Sequence, residues 1–176
     1  MKASGHYLIA LCTAVLALAV GICPACADDT WTPLSKGWER YTNERFGTMA
    51  EIPRHLLKLV EPPPTNGDGR EFKSADGARL WISASYAPSV VTDTFQEYKE
   101  WVLEHAELDR VTYKAEGKNS LVLSGTKGKT VIYRKVFEGC GAAHEVHIEY
   151  PVQRKAVYDQ VIARLSKSLV CASPKR

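Results

Sequence analysis

From Trp38 onward, apolar and polar residues alternate in short runs broken by glycine, proline and asparagine, the period of half-buried strands. Trp38-Glu39-Arg40-Tyr41 is the first run, Thr42 to Arg45 a turn, and Phe46 to Ile52 a second run closed by Pro53. Leu56 to Val60 is a further extended piece. Arg70 to Ala75 and Ala78 to Tyr86 flank Asp76-Gly77, a dipeptide that favours the tight turn of a hairpin. In the second arm Leu80, Ile82 and Ala84 alternate with Trp81, Ser83 and Ser85, so one face is aliphatic. Val111 to Ala115, Leu121 to Ser124, Thr130 to Phe137 and His144 to Tyr150 then predict a meander, ended by Pro151.

Two stretches change period. Thr94-Phe95-Gln96-Glu97 is a capping box, in which threonine and glutamate each satisfy an orphan amide. Phe95, Tyr98, Val102 and His105 follow at helical spacing, and this helix should fade by Asp109. A closing helix beginning near Val152 puts Val157, Val161, Ile162, Leu165 and Leu169 on one side, with Arg154, Lys155, Asp159, Arg164 and Lys167 away from it. Strands, helix, strands, helix with tight turns predict an α+β fold: an antiparallel β-sheet packed with two main helices. Glu61 to Gly69, with prolines at 62, 63 and 64, is the one long irregular loop, too short for a domain linker.

The first 27 residues carry a different pattern. Lys2 precedes an apolar run from Tyr7 to Ile22, and Ala25-Cys26-Ala27 is a small-residue cleavage site, so residues 1–27 read as a cleaved export signal. The run is short for a bilayer span and ends at Pro24 and Asp28-Asp29, not at basic residues. A signal anchor or a lipoprotein signal fits it less well. Residues 28–36 read as a flexible leader, 37–171 as a single domain and 172–176 as a tail. The expected protein is a periplasmic or secreted monomer with no membrane span after cleavage.

Charge is uninformative about partners: Lys and Arg number 23 against 20 Asp and Glu, which argues against nucleic acid or an anionic surface. Cysteine is more telling. Of five, Cys12, Cys23 and Cys26 leave with the signal, and an even pair in an exported chain predicts a Cys140–Cys171 disulfide. Two buried free thiols are the alternative.

Several stretches imitate known sites. Asn66-Gly67-Asp68-Gly69 resembles a calcium loop, but Pro64 and Ala75 fall where acidic ligands belong. Gly125 to Thr130 ends like a phosphate loop yet leads into a β-branched strand. Glu145, His147 and Glu149 share one strand face, where a divalent cation would need help from a neighbouring strand. No nucleophile elbow or carboxylate spacing specifies a hydrolase. No cofactor is implied, and the chain reads as a non-enzyme.

Some positions carry a resemblance. Trp38…Tyr41…Asn43…Phe46-Gly47…Ile52-Pro53 open it, and Gly125…Val131-Ile132-Tyr133…His147…Tyr150-Pro151 continue it. Tyr158-Asp159…Val161-Ile162…Leu165…Ser168-Leu169 complete a pattern that resembles the PsbP-like superfamily, as a small exported bacterial member. That group has an α/β/α sandwich and includes extrinsic photosystem subunits; its fold also occurs in a Ran-binding nuclear import factor. The resemblance covers Lys36 to Val170 and implies a docking or stabilising role, without transferring any functional residue. The expected function is therefore an exported binding or accessory protein whose partner is another envelope or secreted protein. Its expected partner surface is the loop with nearby edge strands: Trp38, Pro63, Asn66, Asp68 and Arg70. A periplasmic small-molecule or metal-binding protein is the alternative, a small hydrolase the weaker one.

Overall fold

The computed structural model describes residues 29–86 and 91–172. The expected export signal and the last residues of the expected tail lie outside the described residues. In chain order, β1 (Thr30–Pro33), β2 (Trp38–Asn43), β3 (Thr48–Pro53), β4 (Lys58–Leu59), β5 (Gly69–Lys73) and β6 (Arg79–Ser85) lead to α1 (Phe95–Glu104). Then come β7 (Arg110–Gly117), β8 (Ser120–Lys127), β9 (Thr130–Gly139), β10 (Ala142–Pro151), α2 (Lys155–Ser168) and β11 (Val170–Cys171).

The strands make two antiparallel sheets rather than one. A seven-stranded sheet runs β4-β5-β6-β10-β9-β8-β7, and a four-stranded sheet runs β1-β2-β3-β11. The large sheet is the expected hairpin and meander, joined because β10 pairs with β6 from Glu149↔Arg79 to Ala143↔Ser85. The small sheet corrects the expected leader: Thr30–Pro33 is a strand, paired with β2 from Thr30↔Thr42 to Pro33↔Glu39. Asp29 anchors it as well, accepting a hydrogen bond from the Tyr41 hydroxyl at 3.0 Å and pairing with Arg70.

One face of the large sheet is the core. Leu80, Ile82, Val146, Ile148, Val131 and Tyr133 meet Tyr41, Ala50 and Ile52 of the small sheet and Tyr158, Val161 and Leu165 of α2. Among these, Ile148, Leu80, Tyr158 and Leu165 are fully buried. The α2 helix starts at Lys155, after a 3-10 turn over Val152–Arg154. Its first turn is tied to the β5–β6 hairpin by Asp76, which accepts from the Tyr158 hydroxyl at 2.7 Å and from Arg154 Nε at 2.6 Å.

The Cys140–Cys171 disulfide forms, with Cα atoms 6.2 Å apart. It fastens the β9–β10 turn to β11, which itself pairs with β3 through Val170↔Met49. Gly47 makes this junction possible: at φ +67° a Cβ there would stand 1.8 Å from the Ala172 carbonyl oxygen. Beneath it lies fully buried His144, stacked on Phe137 at 4.8 Å. Its Nε2 donates to the Gly139 carbonyl at 2.9 Å, so Nδ1, 2.8 Å from Thr48 Oγ1, accepts from that hydroxyl.

The other face of the large sheet is half covered. The capping box of α1 is present, with Glu97 N–H bonded to Thr94 Oγ1 at 3.2 Å and Thr94 N–H to the Glu97 carboxylate at 2.9 Å. From there α1 lays Phe95, Tyr98 and Val102 over Leu121, Val136 and Ala143. Lys99 is buried too, and donates to the Gly117 carbonyl at 2.9 Å.

Candidate functional site

Beyond the end of α1 the outer face lies open, and alternation decides what it shows. Inward positions of β10 are Val146, Ile148 and Tyr150, so outward ones are Glu145, His147 and Glu149. The registers line up one outward row across five strands: Glu71, Trp81, His147, Arg134 and Leu123. The next row holds Ser83, Glu145 and Val136.

This floor is polar yet tightly organised. Arg134 Nε donates to Glu145 at 2.8 Å, and each side chain is only 14 % exposed. Burial works against the Arg134 charge, but the Glu145 carboxylate more than offsets it and holds the guanidinium above its usual pKa. His147 stacks on Trp81 with centroids 5.0 Å apart, and the Arg79 guanidinium lies 4.6 Å from the Trp81 ring centre. Burial pushes the His147 imidazole below its ordinary value, against the pull of Glu145, so the ring is neutral near pH 7. Its Nε2 is 3.2 Å from Glu149 but not aligned for a hydrogen bond.

Two cavities meet at Arg134 and His147. One, of about 510 Å³, is walled by the loop through Pro64, Asn66 and Asp68 and floored by Trp81, Ser83 and Glu145. The other, of about 350 Å³, lies toward the end of α1, against His105, Ala106 and Glu107. Together they form a groove along the open half of the sheet.

The loop that walls the groove is held in place by side chains of the β2–β3 connection. Asn43 Nδ2 donates to the Gly67 carbonyl at 2.9 Å, and Arg45 Nη1 pairs with Asp68 at 2.9 Å. The chain then passes close over β6 at Gly69, where a Cβ would meet the Ile82 carbonyl oxygen at 1.9 Å. At the other end, His105 stacks on Trp101 at 4.6 Å and bonds its carbonyl through Nδ1 at 2.8 Å.

The expected site residues are therefore divided. Asn66, Asp68 and Arg70 line the groove with Pro64, while Pro63 is exposed beside it. Trp38 does not join them: it lines a separate cavity of about 620 Å³ against α2, with the Arg164 guanidinium 4.2 Å from its ring centre. Arg70 is spent internally on Asp29. Glu145, His147 and Glu149 share a face as expected, but Glu145 turns to Arg134. No group of three or more metal-ligating side chains that could hold an ion occurs among the described residues. Arg134 was not singled out from sequence. An arginine in the middle of the β-branched run Thr130 to Phe137 was the available signal.

No family model matches the chain, and no curated protein sequence does. Its backbone is similar to the solution structure of cyanobacterial PsbP (CyanoP) from Synechocystis sp. PCC 6803. The TM-score is 0.54 and the identity 14 %, over 77 % of this chain and 93 % of that one. The likeness is one of fold: an α+β arrangement of antiparallel sheet and two helices.

Proposed function

We propose that the chain is an exported, non-enzymatic accessory protein that docks a partner protein of the envelope or the secreted fraction along the outer groove. The observation that carries this is the groove itself: a floor of paired strands, walled by a loop whose position is fixed by Asn43 and Arg45. Irregular loops on a rigid sheet are common recognition surfaces. The Cys140–Cys171 bridge suits an oxidising compartment, and no helix among the described residues is long and apolar enough to cross a membrane. The non-enzymatic reading rests on the floor's pairing. Ser83 stands beside Glu145, and that carboxylate is paired with Arg134 rather than poised over the hydroxyl.

The test places a photo-crosslinking amino acid at Asn66, on the groove rim, and separately at Gln160 on α2, in the protein expressed in its own host. A discrete adduct from position 66 and none from 160 is expected. Equal labelling from both, or none from position 66, would remove the groove as the docking face.

A further inference from the structure

The α1 end of the groove contains charged groups with hydrogen-bonding capacity to spare. Arg134 uses Nε on Glu145, and its two terminal nitrogens have no hydrogen-bond partner among the described residues. Glu149 accepts no hydrogen bond among the described residues: the His147 nitrogen beside it is misaligned, and the Lys127 ammonium acts on it only through its charge. Both line the 350 Å³ cavity. Lys127 and Glu107, on its rim, pair with each other.

We propose that this cavity binds a small zwitterion, an α-amino acid or a molecule that likewise carries a carboxylate and an ammonium a carbon apart. Arg134 sits directly across from His147, so Arg134 and Glu149 are diagonal neighbours on one face, with backbones roughly 7–8 Å apart. The free guanidinium fork suits a carboxylate, and Glu149 suits the ammonium. Charge-assisted hydrogen bonds of about 2.8 Å would hold each end of such a ligand. The mixed charge also sets selectivity. A lone carboxylate entering beside Arg134 meets Glu145 and Glu149, while a lone ammonium meets Arg134 and Lys127. Ile132, directly across from Glu149, and Ala106 provide the apolar lining, which suits a short aliphatic side chain.

This cavity is one end of the proposed docking groove, but its test contains no partner protein, so the two readings fail separately. Amide spectra of ¹⁵N-labelled protein are titrated with L-alanine and with its two halves, N-acetyl-L-alanine, which lacks the ammonium, and L-alaninamide, which lacks the carboxylate. L-Alanine should give saturable shifts at Arg134, His147, Glu149 and His105–Glu107, with affinity at least roughly tenfold above either half, as one charge-assisted hydrogen bond requires. Glu149→Gln should weaken L-alanine by a similar factor without altering the spectrum away from the cavity. Comparable affinity for the half-molecules, shifts that map outside the cavity, or no saturable shift would each overturn the proposal. The half-molecule comparison uses the unaltered protein, so it holds even where a variant misfolds.

Discussion

Ile148 and Glu149 are neighbours on β10 and face opposite worlds. Ile148 is fully buried among the small sheet and α2, in a face whose centre is apolar and whose strand ends are fastened by Asp76 and by the disulfide. Glu149 lies on the face where α1 covers only part of the sheet and the remainder is a polar groove. Apolar burial is worth about 25 cal/mol per Å², so the inner face supplies most of the driving force for folding. A buried ion pair such as Arg134–Glu145 returns little net stability for its desolvation. The two faces thus differ in what organises them, apolar burial on one and paired charges on the other.

The inner face should be sensitive at its fasteners. Removing the disulfide, which closes a loop of 31 residues, should lower stability by about 3–4 kcal/mol in the chain-entropy model. Denaturant titration of the Cys140→Ser/Cys171→Ser variant measures it, and an unchanged midpoint would show that the β11 pairing and core hold that junction alone. Asp76→Ala should cost about 1–3 kcal/mol, because it strands the buried Tyr158 hydroxyl. Although burial raises the Asp76 pKa, hydrogen bonds from Ser74, Tyr158 and Arg154 hold it down at about 2. Its contribution is thus present above about pH 4 and lost as the pH falls toward 2.

The two faces also carry one lowered histidine each, which gives a direct comparison. Burial depresses His144 on the inner face and His147 on the outer, with the Gly139 hydrogen bond partly opposing it at His144. The unfolded chain, with histidine near 6.5, binds more protons than the folded one below that pH. Stability should be complete above about pH 6.5 and decline as the pH falls toward the lowered folded values. Melting temperatures between pH 7.5 and 5 read the slope. His144→Gln should flatten it more than His147→Gln, since His144 is fully enclosed and His147 borders an open groove. The opposite ranking would mean that the groove is drier than its geometry implies.

Much of the fold was legible because local chemistry and tertiary packing agree. Asp76-Gly77 turns as expected with Gly77 at φ +93°, the Thr94–Glu97 box starts α1, and the cysteines join. The small sheet was not legible. Thr30–Pro33 is too short, and ends in too poor a strand residue, to show a period of its own; it is extended because β2 and Asp29's partners make it so. The site was half legible for a related reason. Period-2 alternation puts Glu145, His147 and Glu149 on one face, but it says nothing of which strand lies beside them. Only the β9–β10 register sets Arg134 against His147, and that register turns a suspected cation site into an ion pair with a free fork. Trp38 was misplaced because it stands at the opposite end of β2 from Asn43, the residue that meets the loop, and packs toward α2 instead.

The smallest expected effect on stability is the most discriminating. Arg134→Met alone should cost about 2 kcal/mol or more, because Glu145 would remain largely buried without its counter-charge. Replacing both, Arg134→Met with Glu145→Met, exchanges the pair for apolar groups that pack on a floor already holding Val136 and Leu123. That double variant should fall within about 1 kcal/mol of the original, or above it. Its response to L-alanine should nevertheless be gone. If the double variant is as unstable as the single one, the pair is part of the scaffold, and the outer face would then belong with the inner one as structure.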